Sequence, residues 1–190
     1  MLKSFPQAIS KFNIAGIIGQ DILDQAQAVT VTNSLSDKEP GSIRLGKPTL
    51  VEATHTVALP IDLANGHVYL QGKLANHPLA LILDTGATHS YLSRRFLESN
   101  QIPHTIKQKP GTQQATGING QGMSFSVVTV HDLELGTFPL PEFEFSVLTS
   151  STVSDTLGTD GLLGMDFLSG LSRYEIDFQA CQLRIVPREL

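Results

Sequence analysis

One short stretch of this sequence has the residue types that acid–base hydrolysis needs. Asp84–Ala87 reads Asp-Thr-Gly-Ala and directly follows the apolar run Leu81–Leu83. An apolar strand would fix the Asp84 carboxyl at a strand-to-loop junction of low dielectric constant, and Gly86 would let backbone amides approach it. Thr85 offers a hydroxyl that can tie two such loops together. We therefore predict that Asp84 is a catalytic acid.

Two adjacent carboxyl groups can hydrolyse a peptide bond without a metal or a covalent nucleophile. Held about 3 Å apart, they cannot both ionise, so one stays protonated while the other acts as a base. One takes a proton from water and the other gives a proton to the carbonyl oxygen. The sequence contains a single Asp-Thr-Gly, at Asp84. We therefore expect the second carboxyl to come from another chain or another lobe.

The surrounding sequence predicts an all-β domain. From about residue 54 onward, short β-branched and aromatic runs alternate with Gly, Pro, Asn and Asp, a rhythm typical of strands and turns. Ser93 is a candidate N-cap for one short helix, with Phe96 and Leu97 facing inward. Cys181, the only cysteine, is predicted to be a buried strand residue. The predicted strands include Val68–Leu70, Leu79–Leu83 (after a turn at Ala75–Pro78), Met123–Val130, Phe143–Leu148, Tyr174–Phe178 and Leu183–Val186.

Two further motifs follow the Asp-Thr-Gly in order. Ala115–Gly122 is a glycine-rich turn that contains Asn119-Gly120, a strong hairpin signal. Leu162-Leu163-Gly164 is an apolar pair before a glycine, in an apolar strand that leads into a second short helix. With these motifs in this order, residues 54–190 resemble the single-lobe, Asp-Thr-Gly-Ala type of retropepsin-like aspartic protease.

The resemblance implies a fold, an activity and a set of site residues. The fold would be a closed β-barrel or sandwich lobe with a flap hairpin and one or two short helices. The activity would be that of an aspartic endopeptidase, with one Asp84 from each lobe or subunit activating a water. The implied site consists of catalytic Asp84, the loop-supporting residues Thr85, Gly86 and Ala87, the flap residues Gly117, Ile118, Asn119 and Gly120, and the strand Leu162, Leu163 and Gly164 beneath the loop.

An internal similarity bears on the domain organisation. Ile14–Leu23 matches Thr159–Leu168 in a Gly-apolar-apolar-Gly-x-Asp-apolar-Leu core, and the segments after each copy also agree. We expect residues 1–50 to form an N-terminal extension and residues 54–190 the protease domain. Our hypothesis is that the extension is the tail of an upstream retropepsin-like lobe.

Composition and charge limit the kinds of partner that we expect this protein to bind. A net charge of -5 gives no basic footprint for nucleic acid. The six scattered histidines and single cysteine predict no metal site, and no cofactor is expected. The expected partners are a peptide or protein substrate and a second copy or lobe, with no membrane span. No signal peptide is apparent, which slightly favours the cytoplasm, although the compartment is undetermined.

Two alternatives remain at this point. Phosphate loops of the actin and sugar-kinase group also place an Asp near Gly and Thr, but those folds need a much longer chain and have that loop near the N-terminus. The stronger alternative is a catalytically weak or inactive retropepsin-like module for dimerisation or peptide binding. The complete Asp-Thr-Gly at Asp84 favours the protease. The 1–50 extension would favour the module if its strands occupied the dimer interface.

Overall fold

The computed structural model describes residues 23, 25–34, 40–50, 55–116, 122–148 and 158–188. Strands dominate these residues, so the predicted all-β class is confirmed. Among the described residues, the helices include α1 (Arg94–Ser99) and α2 (Met165–Leu168). The strands are β1 (Ala28–Thr32), β2 (Ser42–Gly46), β3 (Val57–Ala64), β4 (His67–Leu74), β5 (His77–Leu83), β6 (Tyr91–Leu92), β7 (His104–Thr116), β8 (Gly122–Leu135), β9 (Phe138–Leu148), β10 (Gly161–Leu163), β11 (Leu171–Asp177) and β12 (Gln182–Pro187).

The strands form one continuous hydrogen-bonded sheet. Their order is β2-β1-β11-β12-β3-β4-β5-β10-β6-β9-β8-β7, with an additional β4–β8 pairing. Two pairings are parallel, β5 with β10 and β6 with β9. Because β4 also pairs with β8, the strands from β4 to β9 are held around a common interior. We call the four strands β2, β1, β11 and β12 the junction sheet.

A single large apolar cluster fills the interior. Inward-facing residues alternate along β4, β5 and β8, as the period of two in a half-buried strand requires. Leu70, Leu81 and Phe145 have no exposed surface. Burying each such side chain stabilises the fold by about 1.5–3 kcal/mol relative to leaving it in water. The lobe therefore has a core of its own, and β5 runs through it.

The predicted short helix is confirmed. Ser93 is its N-cap, and its hydroxyl accepts a hydrogen bond from the Phe96 amide at 3.4 Å. Phe96 and Leu97 are buried, as the pattern predicted. The β4–β5 hairpin turns at Ala75 and Asn76, both with positive φ, so Pro78 belongs to β5 rather than to the turn.

The prediction for Cys181 was wrong. Cys181 is exposed and lies in the tight turn between β11 and β12, with φ of 50°. Its thiol faces the Phe178 carbonyl across that turn, at 3.8 Å. The hairpin turns through a residue with positive φ. The apolar character of cysteine does not indicate that a residue with this backbone conformation is needed there.

The junction sheet is organised around a buried carboxylate, Glu175. Its oxygens accept hydrogen bonds from the Thr30 hydroxyl at 2.7 Å and from the Thr49 amide at 2.6 Å. The Leu50 amide and the Arg184 guanidinium also donate to it. Burial would raise the pKa of Glu175, but the hydrogen bonds from Thr49, Thr30 and Leu50 outweigh burial and lower it. The carboxylate thereby fixes β1 and the 49–50 segment against β11.

Asp177 completes this network. Arg184 Nη1 lies 2.7 Å from Asp177 Oδ2 and 3.2 Å from Glu175 Oε1. Burial again favours a raised pKa for Asp177, but the hydrogen bonds from the amides of the turn and from Arg184 lower it.

In the part of the chain that the structure describes, none of the helices has the length and apolar character of a membrane span.

Candidate active site

The loop that contains Asp84 begins where β5 leaves the core. Leu81 has no exposed surface, Leu83 is buried, and Leu83 pairs in parallel with Leu163 of β10. The Asp84 amide then donates to the Leu163 carbonyl at 2.9 Å, which extends the parallel ladder one residue beyond the strand. The backbone of Asp84 is therefore fixed by β10.

Within the loop, the backbone folds back onto the acid. The Gly86 amide donates to Asp84 Oδ1 at 2.8 Å, and the Ala87 amide donates to the Asp84 carbonyl at 3.2 Å. Asp84 is half-buried, whereas Thr85 and Gly86 are exposed. The carboxyl is thus oriented by its own loop and remains reachable from solvent.

A second segment, running from Gly164 into α2, clamps the far side of the loop. The Met165 amide donates to the Ala87 carbonyl at 2.8 Å and the Asp166 amide donates to the Thr88 carbonyl at 3.2 Å. A Cβ at Gly164 would lie 2.7 Å from the Ala87 carbonyl oxygen, closer than real Cβ contacts allow. Only glycine lets the two segments approach this closely.

Ser90 and Asp166 form a positioning pair that the sequence did not reveal. Asp166 is the first-turn acid of α2. Its carboxylate also accepts from the Ser90 amide at 2.7 Å and the Ser90 hydroxyl at 2.6 Å. The Ser90 hydroxyl accepts in turn from the Gly164 amide at 3.0 Å. The only feature of the sequence that could have indicated this pair was Asp166 itself, an acid placed two residues after Gly164.

The predicted flap lies on the β7–β8 hairpin. The two strands pair up to Thr116 opposite Gly122. The four predicted substrate contacts, Gly117, Ile118, Asn119 and Gly120, lie outside the described residues.

A cavity of about 280 Å³ lies beside the loop. Its lining includes His89, Phe125, Val127 and Asp166, and Asp84 is not among the residues that line it. Tyr91 packs with Phe125 in a small buried cluster. His89 is exposed and borders the cavity, so it is near the loop without contacting the acid through any described bond.

The Asp160 carboxylate is bound elsewhere than at the Asp84 loop. It accepts from the Ala80 amide at 2.9 Å and lies in a bend before β10. Asp21 lies outside the described residues. Among the described residues, no group of three or more His, Cys, Asp or Glu side chains could hold a metal ion. The lobe as described therefore presents one oriented carboxyl at the end of a core strand.

A comparison with known protein families found one match. The family model described as "gag-polyprotein putative aspartyl protease" matches residues 70–170, just over half of the chain and from β4 to the end of α2. No curated protein matches the sequence at a significant level.

Comparison with solved structures gives three similar chains, each at low sequence identity. A retropepsin-like aspartic protease from Rickettsia conorii is 15% identical, with a TM-score of 0.46 over 68% of this chain and 89% of that one. The retroviral protease-like domain of Ddi1 from Leishmania major is 15% identical, with a TM-score of 0.42 over 65% and 94%. Basic 7S globulin from soybean is 12% identical, with a TM-score of 0.50 over 97% of this chain and 55% of that one.

The family match spans the Asp84 loop, the β7–β8 hairpin and the Leu162–Gly164 strand, which are the three motifs that first suggested the resemblance. The chain belongs to the family of gag-polyprotein aspartyl proteases, in agreement with the retropepsin-like family that its motifs indicated.

Proposed function

We propose that this chain supplies one lobe of an aspartic endopeptidase, with Asp84 as one of its two catalytic carboxyls. The observation that supports this is the position of Asp84. Its backbone is fixed by β10 at the end of a buried strand, and its carboxyl is oriented by the Gly86 amide and open to solvent. Buried scaffold and accessible acid are what a proton-transferring group requires.

The proposed reaction uses Asp84 as base and a second, protonated carboxyl as acid. Asp84 takes a proton from a water whose oxygen adds to the peptide carbonyl carbon, while the partner acid protonates the carbonyl oxygen. This gives a tetrahedral diol. Asp84 then passes its proton to the amide nitrogen, the C–N bond breaks, and the partner regains a proton from a diol hydroxyl. Both carboxyls return to their starting states, so the pair turns over without a cofactor.

The loop-supporting residues have assigned roles in this proposal. Gly86 orients the carboxyl, Thr85 is exposed where a second loop would meet the first, and Ala87 receives the Met165 amide. The Leu162–Gly164 strand supports the loop from below. The flap segment Gly117–Gly120 would cover an extended peptide substrate, whose backbone would pair with it as an added strand.

Peptide cleavage tests the proposal. A mixed peptide library is incubated between about pH 3 and 7, the range in which a coupled carboxyl pair titrates, with wild type, Asp84→Asn and the matched control Asp62→Asn on the exposed face of β3. We expect cleavage by wild type and Asp62→Asn and none by Asp84→Asn. A rate that rises faster than linearly with protein concentration would indicate a second subunit as the source of the partner acid. Cleavage that survives in Asp84→Asn would contradict the proposal.

A second candidate function is peptide binding without efficient cleavage. One observation favours it: β11 is paired on both edges, with β1 of the same chain and with β12. A second copy therefore cannot pair with β11, and a symmetric homodimer built on that strand is blocked. Under this alternative, a folded wild type would bind extended peptides and leave them intact at every concentration.

A further inference from the structure

The junction sheet has an internal two-fold symmetry. The sequence repeat aligns Gly16 with Gly161, and the same shift of 145 residues aligns Thr30 with Glu175. In the structure, Thr30 and Glu175 lie directly opposite each other on the antiparallel strands β1 and β11. A two-fold rotation through this pair exchanges the strands and returns the same register, with Val29 opposite Ile176 and Val31 opposite Tyr174.

The outer strands obey the same symmetry. On β1, Thr30 lies opposite Arg44 of β2, and on β11, Glu175 lies opposite Arg184 of β12. The neighbouring pairs also correspond, so that Ile43 and Leu45 of β2 are the counterparts of Leu183 and Ile185 of β12. The two hairpins are therefore equivalent in register as well as in sequence.

Their surroundings are not equivalent. Leu183 and Ile185 are 0% exposed, because β12 pairs with β3 and the core of residues 55–170 covers them. Ile43 is 73% exposed and Leu45 is 47% exposed. β2 is also the terminal strand of the sheet, and among the described residues nothing pairs with its outer edge. An exposed apolar edge strand is an open template for another strand.

We propose that β2 is the docking edge for a second retropepsin-like lobe, whose first strand pairs with β2 as β3 pairs with β12. On β12, Val57 lies opposite Ile185 and Leu59 opposite Leu183. The partner strand would place residues of the same kind opposite Leu45 and Ile43, and its core would cover both side chains. The inference rests on the proposed function, because this lobe brings the second acid, related to Asp84 by the two-fold axis.

A second copy of this chain does not fit the docking edge. Its own β3 is already paired on both edges, with β12 and with β4. The fitting partner is a lobe that carries its own Asp-Thr/Ser-Gly loop and lacks its last hairpin, since β1–β2 takes the place of that hairpin. This assigns the 28–46 segment to the partner lobe in structure, although it belongs to this chain in sequence.

A tandem fusion tests the docking edge. The shift of 145 aligns Met1 with Ser146, so residues 55–145 of this chain are placed directly before Met1 of the complete chain, which supplies a lobe body upstream of β1–β2. Amide hydrogen exchange is then compared at Ile43–Leu45 in the fusion and in the original chain. We expect these amides to exchange on the order of 100-fold more slowly in the fusion, as amides do when a frayed edge becomes a paired strand.

Two variants of the fusion serve as controls. Ile43→Lys with Leu45→Lys should remove the protection, whereas Ile106→Lys, at another exposed apolar position that is 57% exposed, should leave it intact. Unchanged exchange at Ile43–Leu45 in a fusion whose β12 amides are protected would overturn the proposal. So would protection that persists in the double lysine variant. These readouts do not depend on catalysis, so an inactive fusion with a protected β2 would contradict the proposed function alone.

If the fusion does not fold, a synthetic peptide of residues 55–66, the β3 sequence, replaces it. We expect this peptide to bind the original chain and to slow amide hydrogen exchange at β2. It should not bind the double lysine variant. Absence of binding, or equal binding to both, would overturn the proposal. Self-association of the original chain through β2 would point to a second copy and would equally overturn it.

Discussion

The Asp84 loop and the junction sheet each hold a carboxylate in a different environment. Glu175 in the junction sheet has no exposed surface, and the Thr30 hydroxyl, the amides of Thr49 and Leu50, and Arg184 donate to its oxygens. Asp84 is half-buried, and the described hydrogen bond to its carboxyl is the one from Gly86.

This difference separates a structural acid from a candidate catalytic one. A carboxylate whose lone pairs are all occupied is held in one protonation state and stabilises the fold through it. A carboxylate with free lone pairs can accept a proton from water and later release it. Around Asp84 the described hydrogen bonds mainly hold the backbone of the loop. In the junction sheet they hold the side chain of Glu175.

Replacing Asp84 should abolish activity and leave stability nearly unchanged. Loss of one member of an acid–base pair costs roughly 10²–10⁴-fold in rate. Because the Asp84 carboxyl is accessible and lightly bonded, Asp84→Asn should change the free energy of unfolding by only about 0.5 kcal/mol. Cleavage assays and urea titrations of the same preparations measure both. A strongly destabilised variant would show that Asp84 is a structural acid like Glu175.

Replacing Glu175 should have the opposite profile. Glu175→Ala leaves the buried Arg184 with one carboxylate partner and strands the Thr49 and Leu50 amides. Breaking such a buried charged network costs roughly 3–5 kcal/mol. Urea unfolding checks this loss. Thr30→Val, which removes a single donor, should cost about 1 kcal/mol. Equal stability of Glu175→Ala and wild type would refute the structural role.

Replacing Asp166 should have an effect between those of replacing Asp84 and Glu175, because it should reduce both stability and activity. Asp166→Ala removes the acceptor for the Ser90 amide and hydroxyl, next to the clamp on the catalytic loop. We expect a loss of about 1–3 kcal/mol in stability from the stranded donors, and a fall in kcat with KM little changed. Asp166→Asn retains one acceptor oxygen and should restore part of kcat. If Asp166→Asn and Asp166→Ala behave alike in kcat, Asp166 does not position the loop.

The junction sheet should also make stability depend on acid pH. The pKa values of Glu175 and Asp177 are lowered in the folded state. Their contribution is complete above the ordinary carboxyl values of about 4 and is lost as pH falls through the lowered folded-state values. Urea midpoints measured from about pH 6 downward should fall below pH 4 in wild type and fall less steeply in Glu175→Gln. Curves that fall in parallel for wild type and Glu175→Gln would show that Glu175 does not contribute to this pH dependence of stability.

Local patterns predicted much of the fold and the loop. The apolar run before Asp84, the Ser93 cap and the strands predicted at Val68–Leu70 and Leu79–Leu83 depend on neighbouring residues, and the structure agrees with each. Contacts between distant residues gave no such signal. Thr30 meets Glu175 across 145 residues of sequence, and Ser90 meets Asp166 across 76. Cys181 was misplaced because a turn needing positive φ overrode its apolar character.

The internal repeat was the one long-range feature that the sequence displayed. Its two copies suggested equivalent hairpins, and the register of β1–β2 and β11–β12 agrees with that correspondence pair by pair. The sequence did not indicate that the hairpins would pair with each other, because strand order follows from packing rather than from similarity. The flap prediction at Gly117–Gly120 stays a prediction.

The most direct test of the central claim is cleavage by the tandem fusion with Asp84→Asn placed in one copy of the loop at a time. Carboxyls that act as a pair are lost together, so each single substitution should reduce the rate by at least about 10²-fold, close to the loss in the double substitution. Retention of about half the activity in each single variant would show that the two acids work independently, and would contradict the account.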